Sequence, residues 1–370
     1  MRIIHTADLH LDSRMESNLD PLMAKERRGE LLDTFSRMVA FAADNEVSVI
    51  IIAGDLFDKL HVRKSAKKRV LEEIITHPDI DFLYLLGNHD RTDFLSDLEE
   101  NDIPANLKRF KKDSWIAYTY GDVVISGREL SDDNYKSISV NLILDGSKCN
   151  IVTLHGQESD YVGRDRTHIV SIPSFRNKNI DYLALGHIHS YKCQRLDDRG
   201  EYCYSGCLEG RGFDECGSKG FVLIDIDDET LSLTHSFIPF ALRELHEITV
   251  SVNETMNMPD IIDAITESAK AFAKVPKESL PLVKIVLNGV TDIDFDIDCD
   301  RIANVFKDKF YFVKVVDETS TRINYDDFAG DRSLKGEFVR LLSGEDMAEE
   351  ERSEIIELGI RAILGDEIEE

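Results

Sequence analysis

Five short apolar runs constrain this chain more than any other feature, because each ends at once in residues able to ligate a metal ion. Residues 2–6 (RIIHT) run into Asp8-Leu9-His10, and residues 47–53 (VSVIIIA) into Gly54-Asp55-Leu56-Phe57-Asp58. Residues 82–86 (FLYLL) run into Gly87-Asn88-His89-Asp90, residues 151–154 (IVTL) into His155-Gly156, and residues 180–185 (IDYLAL) into Gly186-His187-Ile188-His189. Unbroken runs of this length, rich in β-branched residues, read as strands buried on both faces; such strands are usually parallel, with helices crossing between them. In open α/β sheets, sites form outside the carboxyl ends of the strands. The five strand ends therefore deliver Asp8, His10, Asp55, Asn88, His155, His187 and His189 to one crevice. On an extended backbone, residues two apart point to the same side, so Asp8 and His10 are expected to reach a common point.

The intervening segments fit an α/β frame. Residues 24–45 read as a helix, with Leu31, Phe35, Met38 and Ala42 at helical spacing. Residues 62–76 read as a second helix, and a shorter third, with Phe94, Leu95 and Leu98 apolar, follows GNHD. Residues 115–127 and 138–144 read as strands of a second sheet, and residues 202–227 as further strands. The pattern shifts near Pro239. Strands at 245–252, 282–287 and 310–316, with helices at 259–273 and 301–306, predict a small α+β domain that holds none of the candidate ligands. Residues 318–333 are polar and read as a linker. Two helices, 334–342 and 346–364, close the chain, with Gly365 as a stop signal. The expected organisation is residues 1–240, residues 241–318 as a cap, and residues 319–370 as linker and helical tail.

The formal charge is −27, which argues against a generic nucleic-acid binder. Residues 345–370 carry a net −9 of this and the other 344 residues −18, so a polyanionic substrate would need bound metal, a local basic patch or a partner. One such patch is present: Lys59, Arg63, Lys64, Lys67, Lys68 and Arg69 fall within eleven residues that contain no acid. Arg63, Lys64, Lys67 and Lys68, with Arg164 and Arg166 after His155, are the residues expected to meet a phosphate backbone. No apolar run of about 18 residues is present, so no membrane span is expected. The first residues put charge where a signal peptide has its apolar core, and the expected location is cytoplasmic. The six cysteines form no C-x-x-C pair and read as free thiols, with Cys203 and Cys207 close enough in sequence to be weighed for zinc.

Seven nitrogen and oxygen ligands without sulfur suit manganese, iron or zinc better than calcium. Seven is too many for one tetrahedral ion and enough for two that share a bridge. Asp55 is the natural bridge, having two oxygens to divide. Two such ions clamp the attacking and leaving oxygens of an in-line phosphoryl displacement, so the expected chemistry is metal-assisted phosphoester hydrolysis. No nucleophile elbow or P-loop competes with it.

In their order, D-x-H, GD-x-x-D, GNHD, HG and GH-x-H resemble the signature of calcineurin-like metallophosphoesterases. Within them, residues 4–13 (IHTADLHLDS) and 54–58 (GDLFD) look like SbcD-type DNA repair exonucleases, especially the YhaO-like branch, and Tyr204-Ser205-Gly206 matches their Y-x-G stretch. The resemblance covers roughly residues 1–240, and the remainder only loosely. It implies a four-layered α/β/β/α sandwich and a two-manganese site. It assigns Asp8, His10, Asp55 and His189 to one ion, and Asp55, Asn88, His155 and His187 to the other. It makes His89 the catalytic histidine. It further implies homodimerisation through residues 62–76 and 94–103, and an SbcC-type coiled-coil ATPase partner engaged after the cap. On the tail, Ile356, Ile360, Ile363 and Leu364 form an apolar stripe that must bury against the cap or such a partner.

The chain departs from that pattern twice. Asp58 stands where nucleases acting on double-strand breaks often carry a second histidine; it is placed to pair with His89 and raise its pKa, or to cap the next helix. Cys207 stands where serine is common. The leading expectation is a manganese-dependent DNA exonuclease. A phosphodiesterase or phosphatase acting on nucleotides or other phosphoesters is the alternative within the enzyme class, and a scaffold with a vestigial metal site is the alternative outside it.

Overall fold

The computed structural model describes residues 1–15, 19–58, 62–90, 94–95, 102–158, 168–292, 295–322, 328 and 330–364. The chain divides into two compact units, Met1–Glu244 and Leu245–Glu370.

The first unit runs β1 (Arg2–Thr6), α1 (Pro21–Asp44), β2 (Val47–Ala53), α2 (Lys64–Thr76), β3 (Asp81–Leu85), β4 (Leu107–Arg109), β5 (Ile116–Tyr120), β6 (Val123–Gly127), β7 (Cys149–His155), β8 (Gln157–Glu158), β9 (Ile169–Val170), β10 (Tyr182–Gly186), β11 (Lys192–Arg195), β12 (Glu201–Tyr204), β13 (Gly220–Ile226) and β14 (Leu233–Pro239). All five expected buried runs are strands. They are divided between two six-stranded sheets, in the orders β14-β13-β1-β2-β3-β4 and β11-β12-β10-β7-β6-β5. Pairing is parallel through β1, β2, β3 and β4, and again through β6, β7, β10 and β12, so the ligand-bearing strands run parallel within each sheet.

The sheets face each other across a core of Ile3, Val49, Ile51, Ala53, Leu83 and Leu85 from one and Ile125, Ile151, Tyr182, Ala184 and Cys203 from the other. Strand alternation then turns Ile4, Ile50, Ile52, Phe82 and Tyr84 outward, and all five are buried. This outer face lies on the side of α1 and α2, which bury Leu31, Phe35, Met38, Val39 and Ala42, and Ala66, Val70 and Ile74. Asp20 starts α1 by accepting from the Leu22 and Met23 amides at 2.8 and 3.1 Å, with Pro21 in the first turn. The second sheet's outer face is covered by Ile138, Leu142, Ile172 and Phe175, which come from 3-10 and turn segments. Together these make four layers: helices, two facing sheets, and a cover of 3-10 and turn segments.

Two sequence expectations are corrected. Residues 138–144 are not a strand. Local bonds from Val140 N to Ser137 O (3.0 Å) and from Leu142 N to Ser139 O (3.3 Å) satisfy the backbone as turns while Ile138 and Leu142 point inward. The polar stretch 318–333 is not linker throughout, because the last strand extends to Arg322. Of the third helix expected after GNHD, residues 96–101 lie outside the described residues. Phe94 and Leu95 are buried, and Phe94 packs its ring 5.2 Å from Phe57 and 5.6 Å from Tyr84, which are core contacts.

The second unit is a parallel sheet of β15 (Leu245–Val252), β16 (Leu282–Asp292) and β17 (Phe312–Arg322), with α3 (Met258–Ala269) and α4 (Cys299–Phe306) burying Ile261, Ile265, Ile302 and Phe306 against it. Then follow α5 (Leu334–Ser343) and α6 (Glu349–Leu364). Ile356 and Ile360 of the tail stripe are fully buried with Phe328 and Val339, so the stripe packs within this unit, largely between α5 and α6; Ile363 is 37% exposed. No helix among the described residues is long and apolar enough to cross a membrane.

One buried charge network fastens α1 to the far end of the first unit. Arg27 pairs with Glu30 and, at 3.2 Å, with Glu209; Glu209 also accepts from Thr34 Oγ1 at 2.8 Å, and Arg243 Nε donates to Glu30 at 3.0 Å. Arg27 and Glu209 are each 1% exposed, so removing one partner strands a charge out of water. Arg27→Ala should cost about 3–5 kcal/mol in urea-induced unfolding, whereas a cost below about 1 kcal/mol would mean the network is not closed in solution.

Candidate metal centre

Two loops at the carboxyl ends of β1 and β2 make the floor of the centre. They run side by side: Asp8 N donates to Gly54 O at 3.1 Å, His10 N to Asp55 O at 3.0 Å and Leu11 N to Leu56 O at 2.9 Å. The expectation of an extended D-x-H is corrected here. The strand ends at Thr6, and Asp8 and His10 adopt left-handed backbone with φ of 52° and 43°. Asp55 (52°) and His187 (105°) share positive φ. Such conformations cost roughly 1–3 kcal/mol each for residues with a Cβ and persist only where surrounding bonds over-determine them. Here the loop-to-loop ladder supplies those bonds, and convergence comes from it rather than from pleat alternation.

Gly54 and Gly87 let the walls close. Gly54 has φ of 95°, and a Cβ on it would stand 2.1 Å from His155 Nδ1. A Cβ on Gly87 would stand 2.1 Å from Asp55 Oδ1.

All seven nominated ligands meet here. His10 Nε2 and His189 Nε2 face each other at 3.3 Å, with Asp8 in the same group. His155 Nε2 lies 2.9 Å from Asn88 Oδ1, and His187 Nδ1 lies 3.1 Å from that same oxygen. Asp55 Oδ2 stands 3.8 Å from His10 Nε2 and 3.3 Å from His155 Nε2, between the two sets. The His187 amide donates to both oxygens of Asp8 at 2.9 Å, and the His89 amide to Asp55 Oδ1 at 2.8 Å.

The donor set fits cations. His155 gives its Nδ1 proton to the Ala53 carbonyl at 2.9 Å, which leaves Nε2 a bare lone pair aimed at Asn88 and Asp55 oxygens. His189 gives its Nδ1 proton to Glu215 Oε1 at 2.6 Å and presents Nε2 inward in the same way. Acceptors therefore point at acceptors, an arrangement that protons or metal ions must resolve. Charge shifts follow. Burial pushes Asp8 up. Burial also opposes ionised Asp55, yet the imidazoles, His155 foremost, hold it well below the usual carboxylate range. Burial lowers His155, but Asp55 outweighs it and pushes the imidazole up to about 9. Burial, with Arg211 behind it, pushes His10 down to about 4.

The residues that orient these ligands were not legible as ligands. Glu215, 4% exposed, holds His189 and accepts from the Arg211 amide (2.7 Å) and side chain (2.8 Å). It sits in a 3-10 turn, Phe213–Glu215, after Gly210-Arg211-Gly212, with no strand-end signal. Lys219 Nζ donates to the His189 carbonyl at 2.9 Å, and the Cys207 thiol approaches the same oxygen at 3.4 Å. Cys203 belongs to the core between the sheets, so the two cysteines serve different places. Asp90 closes GNHD onto the β2 loop, accepting from the Leu56, Phe57 and Gly87 amides at 3.2, 3.1 and 3.1 Å; burial and then Asp55 push it up to about 6.

His89 Nδ1 lies 3.2 Å from Asp58 Oδ1, and its ring sits edge-on to His10 with centroids 4.8 Å apart. Ser13 Oγ donates to Asp58 Oδ2 at 3.0 Å, with Arg211 Nη1 3.9 Å from the same oxygen. The neighbouring imidazoles, His10 and then His89, hold Asp58 well below the usual carboxylate range. A cavity of about 160 Å³, lined among others by Asn88, Glu129, Leu130, His155 and His168, opens on the Asn88 and His155 side of the centre. Of the basic candidates, Arg63 is tied to Asp12 through its amide (2.7 Å) and Nε (2.6 Å), and Lys68 lies 3.4 Å from Glu72. Lys64 is exposed and Lys67 half-buried on α2; Arg164, Arg166 and Lys59 lie outside the described residues.

A carboxylate that orients a metal-bound histidine typically accounts for 10–100-fold in metal affinity. Glu215→Gln should therefore weaken metal binding by about 10–100-fold while leaving the far-ultraviolet circular dichroism unchanged. Calorimetric titration that gives wild-type affinity would show that Glu215 is not an orienting group.

Comparison with known proteins agrees with this architecture. The chain is 26% identical over 311 residues to a metallophosphoesterase of uncharacterised role, YhaO of Bacillus subtilis, a match covering 78% of this chain and 72% of that protein. It is 26% identical over 309 residues to the DNA double-strand break repair protein Mre11 of Saccharolobus solfataricus, covering 78% and 75%. It is 24% identical over 279 residues to Mre11 of Methanosarcina acetivorans, where 72% of this chain spans 43% of the relative. The model of the calcineurin-like phosphoesterases matches residues 1–191, more than half of the chain. With two facing sheets and a carboxyl-end cluster of imidazoles and carboxylates, this protein belongs to the calcineurin-like phosphoesterase family and is a metal-dependent phosphoester hydrolase.

Proposed function

We propose that the protein is a two-metal DNA nuclease, an exonuclease of DNA repair. The observation that carries the reading is the placement of Asp55 Oδ2 between His10 and His155, one histidine from each half of the ligand set, with His89 beside them and paired to a carboxylate of its own. Asp8, His10, Asp55 and His189 would hold one ion, and Asp55, Asn88, His155 and His187 the other. An all-nitrogen-and-oxygen set accords with Mn²⁺. Two divalent ions held there supply Lewis-acid stabilisation to the phosphoryl group's charge. The chain's own residues do the rest. Asp58 accepts from His89 Nδ1 and fixes the ring, which leaves Nε2 to hold a proton for the departing oxygen. Ser13 and Arg211 keep Asp58 in place for that task.

DNA as the substrate is favoured by the Mre11 relatives and by the start of α2. Lys64, Lys67 and Lys68 occupy its first turns with no acid among them. Cations at a helix N-terminus oppose the macrodipole by about 0.3–1 kcal/mol each, and an approaching phosphate relieves that cost. Arg63 borders the same face, and Arg164 and Arg166 complete the proposed contact set. A homodimer would form through the exposed face of α2, where Ile75 is 57% exposed.

The deciding experiment compares plasmid nicking and labelled-oligonucleotide cleavage in Mn²⁺ with hydrolysis of a nitrophenyl phosphodiester. DNA cleavage should vanish on chelation, and Asp55→Ala should lose metal and activity together. His89→Ala should retain both ions and lose about 10²–10⁴-fold in rate. Turnover in chelated buffer, or hydrolysis of the small diester alone, would refute the nuclease reading.

The proposed partner is an SbcC-type coiled-coil ATPase docked on the tail. With Ile356 and Ile360 turned inward, the outer side of the helical pair shows Leu334 (70% exposed), Leu341 (65%), Ile355 (36%) and Leu358 (44%). A basic partner would also offset the chain's −27 charge. The double substitution Ile355→Glu with Leu358→Glu should abolish pull-down of an SbcC-type ATPase and leave cleavage of short single strands intact; undiminished capture, or no capture by the unsubstituted chain, would rule out this face.

A further inference from the structure

A second cluster of ligand-type side chains lies apart from the phosphoesterase centre, at one edge of the sandwich. Here β11 and β12 of one sheet approach β14 of the other. Cys193 Sγ, on β11, lies 3.5 Å from His235 Nε2, on β14, and 3.8 Å from Glu201 Oε2, on β12. His235 Nε2 and that same Glu201 oxygen are 2.8 Å apart. Three donor atoms from three strands thus form one small triangle. Cys203 stands directly opposite Cys193 in the antiparallel β11–β12 pair, so the two side chains leave the same face of the sheet, with the Cys203 thiol just outside the triangle itself. Cys203 is fully buried in the core between the sheets, while Glu201 keeps half its side chain in solvent, so the triangle has both a closed side and an open one.

We propose that Cys193, Glu201 and His235, with Cys203 as the fourth donor, form a structural zinc site. Zinc bonds of about 2.0–2.3 Å at tetrahedral angles place neighbouring ligand atoms roughly 3.3–3.8 Å apart, which matches the two sulfur separations of this triangle, while the 2.8 Å hydrogen bond between His235 and Glu201 opens as the metal enters. Two sulfurs, an imidazole and a carboxylate are a softer set than the all-nitrogen-and-oxygen cluster of the phosphoesterase centre, so the two sites sort different ions. Filling the site requires that each thiol release its proton to solvent as the metal binds. The result is a clamp between the two sheets, on the strand that directly follows His187 and His189. Tyr191, stacked on Phe237 at 4.6 Å, already joins the same strands just before Cys193. The clamp holds the base of the loop that carries His187 and His189 without touching the reacting centre.

Cobalt reports this site separately, because the phosphoesterase centre contains no sulfur ligand. The full chain, fully reduced, is titrated with Co²⁺ alone and then with Zn²⁺. A sulfur-to-cobalt charge-transfer band that levels off at the intensity of one site per chain and is erased by Zn²⁺ is expected. It should survive in Asp55→Ala and be lost in Cys193→Ser and in His235→Ala. Zn²⁺ should also raise the unfolding temperature of Asp55→Ala but not of the Cys193→Ser, Asp55→Ala double variant. Absence of the band in the reduced wild-type chain, or its persistence in Cys193→Ser, overturns the proposal. If instead the chain binds no cobalt when reduced and peptide mapping finds a Cys193–Cys203 disulfide after exposure to peroxide, the pair is a redox couple and the zinc site is rejected.

Discussion

Two carboxylates, Asp8 and Asp55, are buried in a pocket whose imidazoles turn bare nitrogens toward them and toward the Asn88 oxygen. Water cannot satisfy these groups because neither carboxylate is more than 1% exposed. Uncompensated charge at such depth costs several kcal/mol per ion, so the pocket is stable only with positive charge in its midst. The rest of the first unit can be read as the apparatus that keeps those lone pairs converging: second hydrogen bonds on His155 and His189, Asp90 stitching two loops, and left-handed backbone held in place by a ladder of amide bonds.

That apparatus explains why the fold takes two sheets. A single sheet presents its strand ends along a line. Facing sheets, parallel within each ligand-bearing set, bring Asp8, Asp55 and Asn88 from one layer against His155, His187 and His189 from the other. The core between the layers therefore does two things. It buries apolar area, and it sets the distance across which the two halves of the ligand set meet.

The strands, and the seven side chains that converge at their ends, are legible in the residues because each signal is local: an apolar run, then a ligand-type residue within four positions. What escaped was non-local or ambiguous. Glu215 acts on His189 from 26 residues away, through a turn whose only sequence mark is a pair of glycines. Cys193 meets His235 across 42 residues and two different sheets. Residues 138–144 have the hydrophobicity of a strand, yet local turn bonds from the Val140 and Leu142 amides to the Ser137 and Ser139 carbonyls take the backbone groups a ladder would have used. Residues 318–322 mislead for the opposite reason: they are polar, but pairing with β16 as far as Asp292 carries them into the sheet. The tail stripe was visible as a stripe, but which surface buries Ile356 and Ile360 depended on the position of α5.

The glycines around the centre have a consequence for how such a protein can change. Not even a methyl group can be added at residue 54 or 87 without striking His155 or Asp55. The inner wall is therefore closed to gradual variation, since no side chain larger than hydrogen is available as an intermediate step. New preferences for substrate must be written at the rim, in the loops beyond the strand ends. The chemistry is inherited whole, and only its audience can drift.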